Sequence, residues 1–157
     1  MAQDIKTGVR MVDVGGKPIT QRTALARGEV ELNETAVEAI EQGRLEKGDV
    51  LAVAQVAGIT AAKRTADLIP LCHPVPVFAV DVKCVLDMPQ GRVEIEATVK
   101  AHGTTGVEME ALTAVSVAAL TIYDMCKSLD RGITITNVRL IEKTGGQRGD
   151  YHRVEGT

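Results

Sequence analysis

Two ionisable side chains three positions apart are the first candidates for chemistry. Asp124 and Lys127 lie near the end of an apolar stretch with helical character, and their spacing places both on one helix face. A carboxylate and an ammonium in contact can tune each other for proton transfer. An ordinary surface ion pair, worth about 0.3–0.5 kcal/mol, explains the same spacing and is the stronger explanation from spacing alone. The apolar surroundings keep the chemical interpretation open.

A proline-rich segment is the second candidate. Residues 69–76 read Ile-Pro-Leu-Cys-His-Pro-Val-Pro and hold three of the five prolines. Each proline pushes the preceding residue toward extended backbone, so the segment should present Leu71, Cys72 and His73 in fixed positions. A rigid connector between a helix and a strand explains the same prolines, and residue types alone favour it. Cys72 and His73 are not expected to share a metal, because neighbours in an extended strand point to opposite sides.

Further charged groups occur in the weakly patterned parts of the chain. Glu108 and Glu110 lie at the start of the long apolar stretch. The helix dipole favours acidic side chains in the first turn, so it explains these two residues whether or not they also have a function. Basic residues converging on one pocket would suit a small polyanion such as a nucleotide triphosphate, and solvated side chains are the alternative. The chain has neither GxxxxGK[ST] nor GxGxxG, so side chains would have to hold any phosphate. The basic residues concerned are Arg22, Arg27, Lys47, Lys63, Arg64, Arg131, Lys143, Arg148, His152 and Arg153.

Length and composition limit the classes of protein. The chain has 157 residues with a formal net charge of -3, which is typical of one soluble domain with one core. Cys72, Cys84 and Cys126 are widely spaced, which disfavours a disulfide framework or zinc site and favours the cytoplasm. Three aromatic residues and an acidic balance disfavour nucleic-acid binding.

The chain is also not expected to enter a membrane. Charged residues interrupt the first twenty positions, so a signal peptide is not predicted. The two most apolar stretches, 50–62 and 111–123, are shorter than the roughly 20 residues that a membrane-spanning helix needs. Both are therefore predicted to lie in core helices.

Hydrophobic periodicity predicts the elements that must position these candidates. Alternating residues predict strands, and nearly continuous apolar runs behind capping residues predict helices. Asn33 and Asp49 are expected to cap the first two helices, and 87–91 should join two strands as a hairpin. The predicted elements are a strand at 23–32, a small helix ending at Gly43, a helix from Asp49 to about Asp67, strands at 78–86 and 93–100, a helix at 107–129 and a strand at 133–141.

Without the small helix, this order is βαββαβ, the order of α+β ferredoxin-like folds. Two long helices would cover one face of an antiparallel sheet and leave the other face open. Both helices look too apolar for a two-layer monomer, which predicts an oligomer. The expected organisation is a flexible N-terminal arm at 1–20, a single α+β catalytic domain at 21–142 and a flexible, glycine-rich basic tail at 143–157.

Four motifs in order carry a resemblance to a known family. They are Ala-Ala-Lys-Arg-Thr at 61–65, Leu-Ile-Pro-Leu-Cys-His-Pro at 68–74, Thr-Gly-Val-Glu-Met-Glu-Ala-Leu-Thr at 105–113 and Ala-Ala-Leu-Thr-Ile-Tyr-Asp-Met-Cys-Lys at 118–127. From about residue 22 to 149, the chain resembles the cyclic pyranopterin monophosphate synthases, the molybdenum cofactor biosynthesis protein C family.

The resemblance implies a lyase. Its substrate would be (8S)-3',8-cyclo-7,8-dihydroguanosine 5'-triphosphate, which is rearranged to cyclic pyranopterin monophosphate with release of pyrophosphate. It also implies a ferredoxin-like fold and a hexamer built of dimers. No metal or other cofactor is implied, although Mg²⁺ could accompany the triphosphate.

The resemblance also assigns residues. Asp124, Lys127 and Lys47 would be catalytic. The substrate-binding residues would be Leu71, Cys72, His73, Met109 and Glu110, with Arg22, Lys63, Glu108 and Lys143 lining the site.

This chain departs from the family pattern at two positions. Thr104 and Gln147 stand where lysines are expected, so a lysine at either position is not essential here, and Arg148 is a candidate for the missing charge. A non-catalytic oligomeric module for ligand binding or assembly is the competing interpretation, because small ferredoxin-like domains often bind ligands without reacting them.

Overall fold

A computed structural model describes residues 8–156 and has an α+β fold, with one five-stranded antiparallel sheet and four helices. The sheet order is β2-β3-β1-β4-β5. The elements are β1 (Thr20–Glu31), α1 (Glu34–Glu41), α2 (Val50–Lys63), α3 (Thr65–Leu68), β2 (Val77–Asp87), β3 (Arg92–Gly103), α4 (Glu108–Cys126), β4 (Thr134–Thr144) and β5 (Tyr151–His152).

β1 is the central strand and sets the register of the sheet. It pairs with β3 from Thr20 opposite Gly103 to Glu31 opposite Arg92. Its pairing with β4 has two register shifts. β2 and β3 form the predicted hairpin, in which Gly91 has a φ of 64°. The start of β1 therefore lies beside the loop that follows β3.

The core lies between one sheet face and the pair α2 and α4. The inward side chains of β1 and β3 are small or β-branched, and α4 is buried along most of its length. A Cβ on Gly28 of β1 would lie 2.6 Å from Val115 Cγ1 of α4. A Cβ on Gly58 of α2 would lie 3.0 Å from the Ala114 carbonyl oxygen. These two glycines therefore let β1, α2 and α4 approach closely.

The predicted helix caps are confirmed. The Asn33 side chain accepts a hydrogen bond from the backbone N–H of Ala36 at 2.8 Å, and the Asp49 side chain accepts one from Ala52 at 3.1 Å.

In the described residues, α4 is the one helix long and apolar enough to cross a membrane, but 56% of its apolar 18-residue stretch is buried within the domain. Its burial is that of a core helix.

The second helix ends earlier than predicted. α2 stops at Lys63, and Arg64 leaves the helix with φ −114°. The Thr65 hydroxyl donates to the carbonyls of Ala61 and Ala62, both at 3.1 Å, and so competes with the backbone hydrogen bonds of a continuing helix. The helix predicted to reach Asp67 is therefore two helices, α2 and α3.

Both expected terminal boundaries fall inside strands. β1 begins at Thr20, within the predicted arm, and β4 continues to Thr144, within the predicted tail. The tail also contains β5, which pairs with the end of β4 and was not predicted. Residues 1–7 of the predicted arm lie outside the described residues, whereas 8–19 are irregular with a turn near Lys17. The flexibility of both termini stays a prediction.

Candidate active site

The candidate catalytic residues Lys47, Asp124 and Lys127 form one cluster. Asp124 and Lys127 lie at the C-terminal end of α4, and Lys47 reaches them from the turn before α2. Lys47 Nζ lies 2.7 Å from Asp124 Oδ2, and Lys127 Nζ lies 2.8 Å from Asp124 Oδ1. Each ammonium therefore donates to a different oxygen of one carboxylate.

The two lysines keep this carboxylate ionised. The hydrogen bond from Lys127, followed by that from Lys47, lowers the pKa of Asp124 to about 2. The same contact with Asp124 raises the pKa of Lys127. The cluster therefore has a net positive charge at neutral pH. All three side chains are about half exposed, so the charged groups are accessible to an anionic ligand.

A second group surrounds the first turn of α4. Glu110 is only 3% exposed, and its Oε2 makes no hydrogen bond within the described chain. Burial and then the neighbouring Glu108 raise the pKa of Glu110. Cys72 Sγ lies 4.0 Å from Glu110 Oε1, and burial followed by the two glutamates raises the pKa of this thiol. The thiol therefore stays protonated and is a poor nucleophile.

The proline-rich segment contacts this group from the side. Leu71, Cys72 and His73 line an open hollow of about 320 Å³ together with Glu108 and Met109. The segment thus places the candidate binding residues next to the start of α4, as a ligand-positioning strip would.

Two further residues adjoin the second group. His73 Nε2 lies 2.6 Å from the carbonyl oxygen of Val12, so in the Nε2–H tautomer the ring donates to the segment before β1. On the other side, Lys63 and Glu110 both line a smaller cleft of about 120 Å³. Lys63 therefore belongs with the second group and not with the Asp124 cluster.

Arg22 and Lys143 line an adjoining cavity of about 380 Å³. The Arg22 guanidinium donates to the carbonyls of Gly145 at 3.5 Å and Thr104 at 3.2 Å. Lys143 Nζ lies 3.6 Å from Glu108 Oε1, so this cavity shares Glu108 with the hollow beside the proline-rich segment.

Other residues of this cavity are not among the assigned site residues. Lys17, Thr20 and Thr105 also line it. Lys17 precedes β1 in a segment without periodicity, and no local pattern indicated that it faces a cavity. It does so because Thr20 lies opposite Gly103, which brings the arm beside the loop after β3.

Two other features of the described residues lie apart from these groups. A hollow of about 510 Å³ lies on the open sheet face, where ion pairs such as Arg27 with Glu96 and Arg139 with Glu155 neutralise its charges. It contains none of the predicted site residues. Between residues 8 and 156, no three His, Cys, Asp or Glu side chains form a group that could hold a metal ion.

One chain does not bring all predicted site residues together. Glu110 and Asp124 are fourteen positions apart on the continuous helix α4. At about 1.5 Å per residue, they stand roughly 21 Å apart along its axis. A small substrate bound beside Glu110 would not reach the Asp124 cluster of the same chain.

Comparison with known proteins identifies the family. The MoaC family profile matches residues 11–146. The chain belongs to the MoaC family. The matched region contains both groups of candidate residues and Lys17, whereas Arg148 lies beyond it.

Relatives of this MoaC family member match over nearly the whole chain. The cyclic pyranopterin monophosphate synthase of Heliobacterium modesticaldum is 57% identical over 152 residues, covering 97% of this chain and 96% of that protein. The protein of the same name from Parvibaculum lavamentivorans is 57% identical over 148 residues, covering 94% and 92%. Molybdenum cofactor biosynthesis protein 1 of Mus musculus is 56% identical over 143 residues, covering 91% of this chain and 22% of that longer protein.

Proposed function

We propose that this protein is a cyclic pyranopterin monophosphate synthase, a lyase of molybdenum cofactor biosynthesis. The observation that carries this conclusion is identity of 57% over nearly the full length to proteins of that name. Its substrate is (8S)-3',8-cyclo-7,8-dihydroguanosine 5'-triphosphate, and its products are cyclic pyranopterin monophosphate and pyrophosphate. The charged cluster at the end of α4 and the cavities at its start support an enzyme acting on an anionic substrate.

In this proposal, the lysines of the Asp124 cluster transfer protons and Asp124 holds them in place. Ring opening and reclosure need proton transfers, which a positioned side chain accelerates. A carboxylate with a pKa of about 2 is a weak base, so Asp124 serves mainly to orient Lys47 and Lys127. A lysine ammonium can act as the acid, and after losing its proton the same amine acts as the base.

We further propose that two chains build each site. A two-fold axis that places two α4 helices antiparallel would bring Glu110 of one chain near Asp124 of the partner subunit. Exposed apolar residues on α2 and near the end of α4 support such an interface, because a two-fold contact would cover them. These residues are Val53, Val56, Leu120 and Tyr123.

The strand order β2-β3-β1-β4 supports a ferredoxin-like assignment for the fold, to which β5 adds an edge strand. We propose that the dimers associate into a hexamer in the cytoplasm. The proposed enzyme has no resident cofactor, and any Mg²⁺ would arrive with the triphosphate.

The decisive experiment is incubation with the cyclised triphosphate while pyrophosphate and pterin fluorescence are followed. Lys127→Met should lower kcat by about 10²-fold or more, because it removes a proton-transfer group while leaving the other binding groups in place. Lys83→Met is the matched control, since Lys83 is exposed on β2 and its nearest acid is Asp81.

The competing function is a non-catalytic ligand-binding or assembly module. It predicts that the wild-type protein binds the triphosphate but releases no pyrophosphate. Near-normal turnover of Lys127→Met at saturating substrate would leave the synthase function intact and remove Lys127 from its proposed role.

A further inference from the structure

Two hydrogen bonds join the start of α1 to the chain that follows α4. Asp130 Oδ2 accepts one from the backbone N–H of Asn33 at 2.7 Å. In the opposite direction, Asn33 Nδ2 donates to the carbonyl oxygen of Leu129 at 3.0 Å. Asn33 and Asp130 are 97 positions apart, so these bonds, here named the Asn33–Asp130 clasp, connect distant parts of the chain.

The Asp130 carboxylate is buried and held at both oxygens. It is only 8% exposed, and its Oδ1 accepts a hydrogen bond from the backbone N–H of Gly132 at 2.7 Å. Asp130 follows the C-terminal end of α4, where the helix dipole disfavours an acidic side chain. The N-terminal end of α1 favours a negative charge instead, through the N–H of Asn33. The position of Asp130 therefore depends on its contact with α1.

The two segments that this clasp joins also carry the two lysines of the Asp124 cluster. Lys127 follows the last residue of α4 and lies three positions before Asp130. Lys47 lies in the turn that connects α1 to α2. Any movement of α1 relative to the end of α4 would change the distance between Lys47 and Lys127.

The ion pairs of the cluster are too exposed to fix this distance by themselves. The side chains of Lys47, Asp124 and Lys127 are each about half exposed, and exposed ion pairs contribute little to a fixed geometry. The hydrogen bonds of the Asp130 carboxylate are largely shielded from water, and bonds to a charged acceptor are about twice as strong as those between neutral groups. The clasp is therefore the stronger constraint on the two segments.

We propose that Asn33 and Asp130 are positioning residues, which hold the segments of Lys47 and Lys127 at the separation at which both lysines reach Asp124. Neither residue belongs to the cluster, so both act through the backbone that carries it. The proposal rests on the proposed function for the reaction that the cluster performs. A displacement of about 1 Å in a reacting group can lower a rate by about 10²-fold, so a constraint outside the cluster can control turnover.

Two variants break the clasp and keep every residue of the cluster. Asn33→Asp keeps a capping oxygen for α1 but loses the donor to Leu129 and places a second carboxylate beside Asp130. Asp130→Asn replaces one of the two acceptor oxygens by an NH2 group. Asp87→Asn is the matched control, because Asp87 also accepts a backbone hydrogen bond in a turn, that of Gln90 after β2.

The first measurement is competitive labelling of the lysines in the full chain with acetic anhydride at neutral pH, read by mass spectrometry. An ion pair favours the charged form of a lysine, which does not react. The labelling of Lys47 and Lys127 relative to Lys83 should therefore rise about twofold in both clasp variants and stay unchanged in Asp87→Asn. Val99→Ala, a core change toward the other end of β3, is the control for lower stability and should not change these ratios.

The second measurement separates kcat from KM with the cyclised triphosphate as substrate. Both clasp variants should lower kcat about 10-fold to 100-fold, because the lysines lose their alignment. KM should change little, because the candidate binding residues 71–73 and Glu110 lie at the other end of α4. Thermal unfolding of each variant sets an assay temperature at which it is folded.

Unchanged relative labelling of Lys47 and Lys127 in both clasp variants would overturn this assignment. An equal rise in Val99→Ala, or a normal kcat in both clasp variants, would also overturn it. Because labelling needs no turnover, an inactive wild type whose two lysines respond to the clasp would refute the synthase function alone. An active enzyme in which neither labelling nor kcat responds to the clasp would refute the positioning role alone.

Discussion

The Asp124 carboxylate accepts hydrogen bonds from two ammonium groups, and this limits the chemistry of all three side chains. Its pKa is lowered from about 3.8 to about 2, so its contribution to stability is present above pH 3.8 and is lost as pH falls toward 2. Both ion pairs are exposed, so this contribution is small. At neutral pH, the more important consequence is a fixed orientation for Lys47 and Lys127.

The pKa of Glu110 is shifted in the opposite direction from that of Asp124, because burial of its carboxyl group raises it. A carboxyl group whose pKa is raised by folding contributes to stability while it is protonated. This contribution is fully present below the pKa of the unfolded chain and is lost as the pH rises through the pKa in the folded protein. Glu110→Gln should remove this pH dependence, so its stability relative to the wild type should be higher at pH 8 than at pH 4. Thermal unfolding between pH 4 and 8 measures this difference, with the exposed Glu38→Gln as the control. A gain that grew toward acidic pH would contradict the assignment.

At the scale of elements, close packing between β1, α2 and α4 fixes both groups of site residues. α4 carries Glu110 at one end and Asp124 at the other, so any shift of this helix moves both. Gly28 and Gly58 set how closely its neighbours approach. The precision of the site therefore depends on two positions that bear no functional group.

Gly28→Ala tests this dependence. The added Cβ would meet Val115 Cγ1 at 2.6 Å and Val138 Cγ2 at 3.1 Å, so the free energy of unfolding should fall by about 1–3 kcal/mol. Adding Val115→Ala should recover part of this loss, because it removes the clashing group. Gly16→Ala is the matched control, since its Cβ would have no neighbour within 4 Å. Urea unfolding of the wild type, the Gly28→Ala and Val115→Ala single variants, the double variant and the control gives all five values, and additive losses in the double variant would contradict close packing at Gly28.

The sequence predicted most of these elements because local rules determine them. The caps at Asn33 and Asp49, the hairpin after β2 and the continuous helix α4 follow from capping, alternation and apolar runs, and all are confirmed. The break at Arg64 was missed because it depends on a side-chain hydrogen bond of Thr65. β5 was missed because two residues carry too little pattern to indicate a strand.

The candidate site was predicted less completely, for the same kind of reason. The cluster of Asp124 and Lys127 follows from helical spacing, and the resemblance added Lys47, which the structure brings to the same carboxylate. Lys17 joins the cavity only through the register of β1 with β3, a long-range pairing that no local pattern specifies.

At the scale of the whole molecule, the two ends of α4 that carry Glu110 and Asp124 lie too far apart to act together within a single chain. Glu110 and Asp124 are roughly 21 Å apart, although the resemblance places both in one site. The exposed apolar residues Val53, Val56 and Leu120 lie on the same helical layer. An antiparallel two-fold contact would cover these residues and give each dimer two sites, each with one end of α4 from either chain.

Mixing two inactive variants tests this arrangement. Glu110→Ala and Asp124→Ala should each be inactive alone, because both sites of either homodimer lack one of the two side chains. After unfolding and co-refolding in equal amounts, half of the dimers would be mixed, and each mixed dimer would have one intact site and one doubly defective site. The mixture should therefore regain about a quarter of the wild-type activity. A mixture of wild type with Lys83→Met subunits, treated identically, measures the yield of refolding. If subunit exchange is demonstrated by mass and activity still does not return, Glu110 and Asp124 do not cooperate across the dimer.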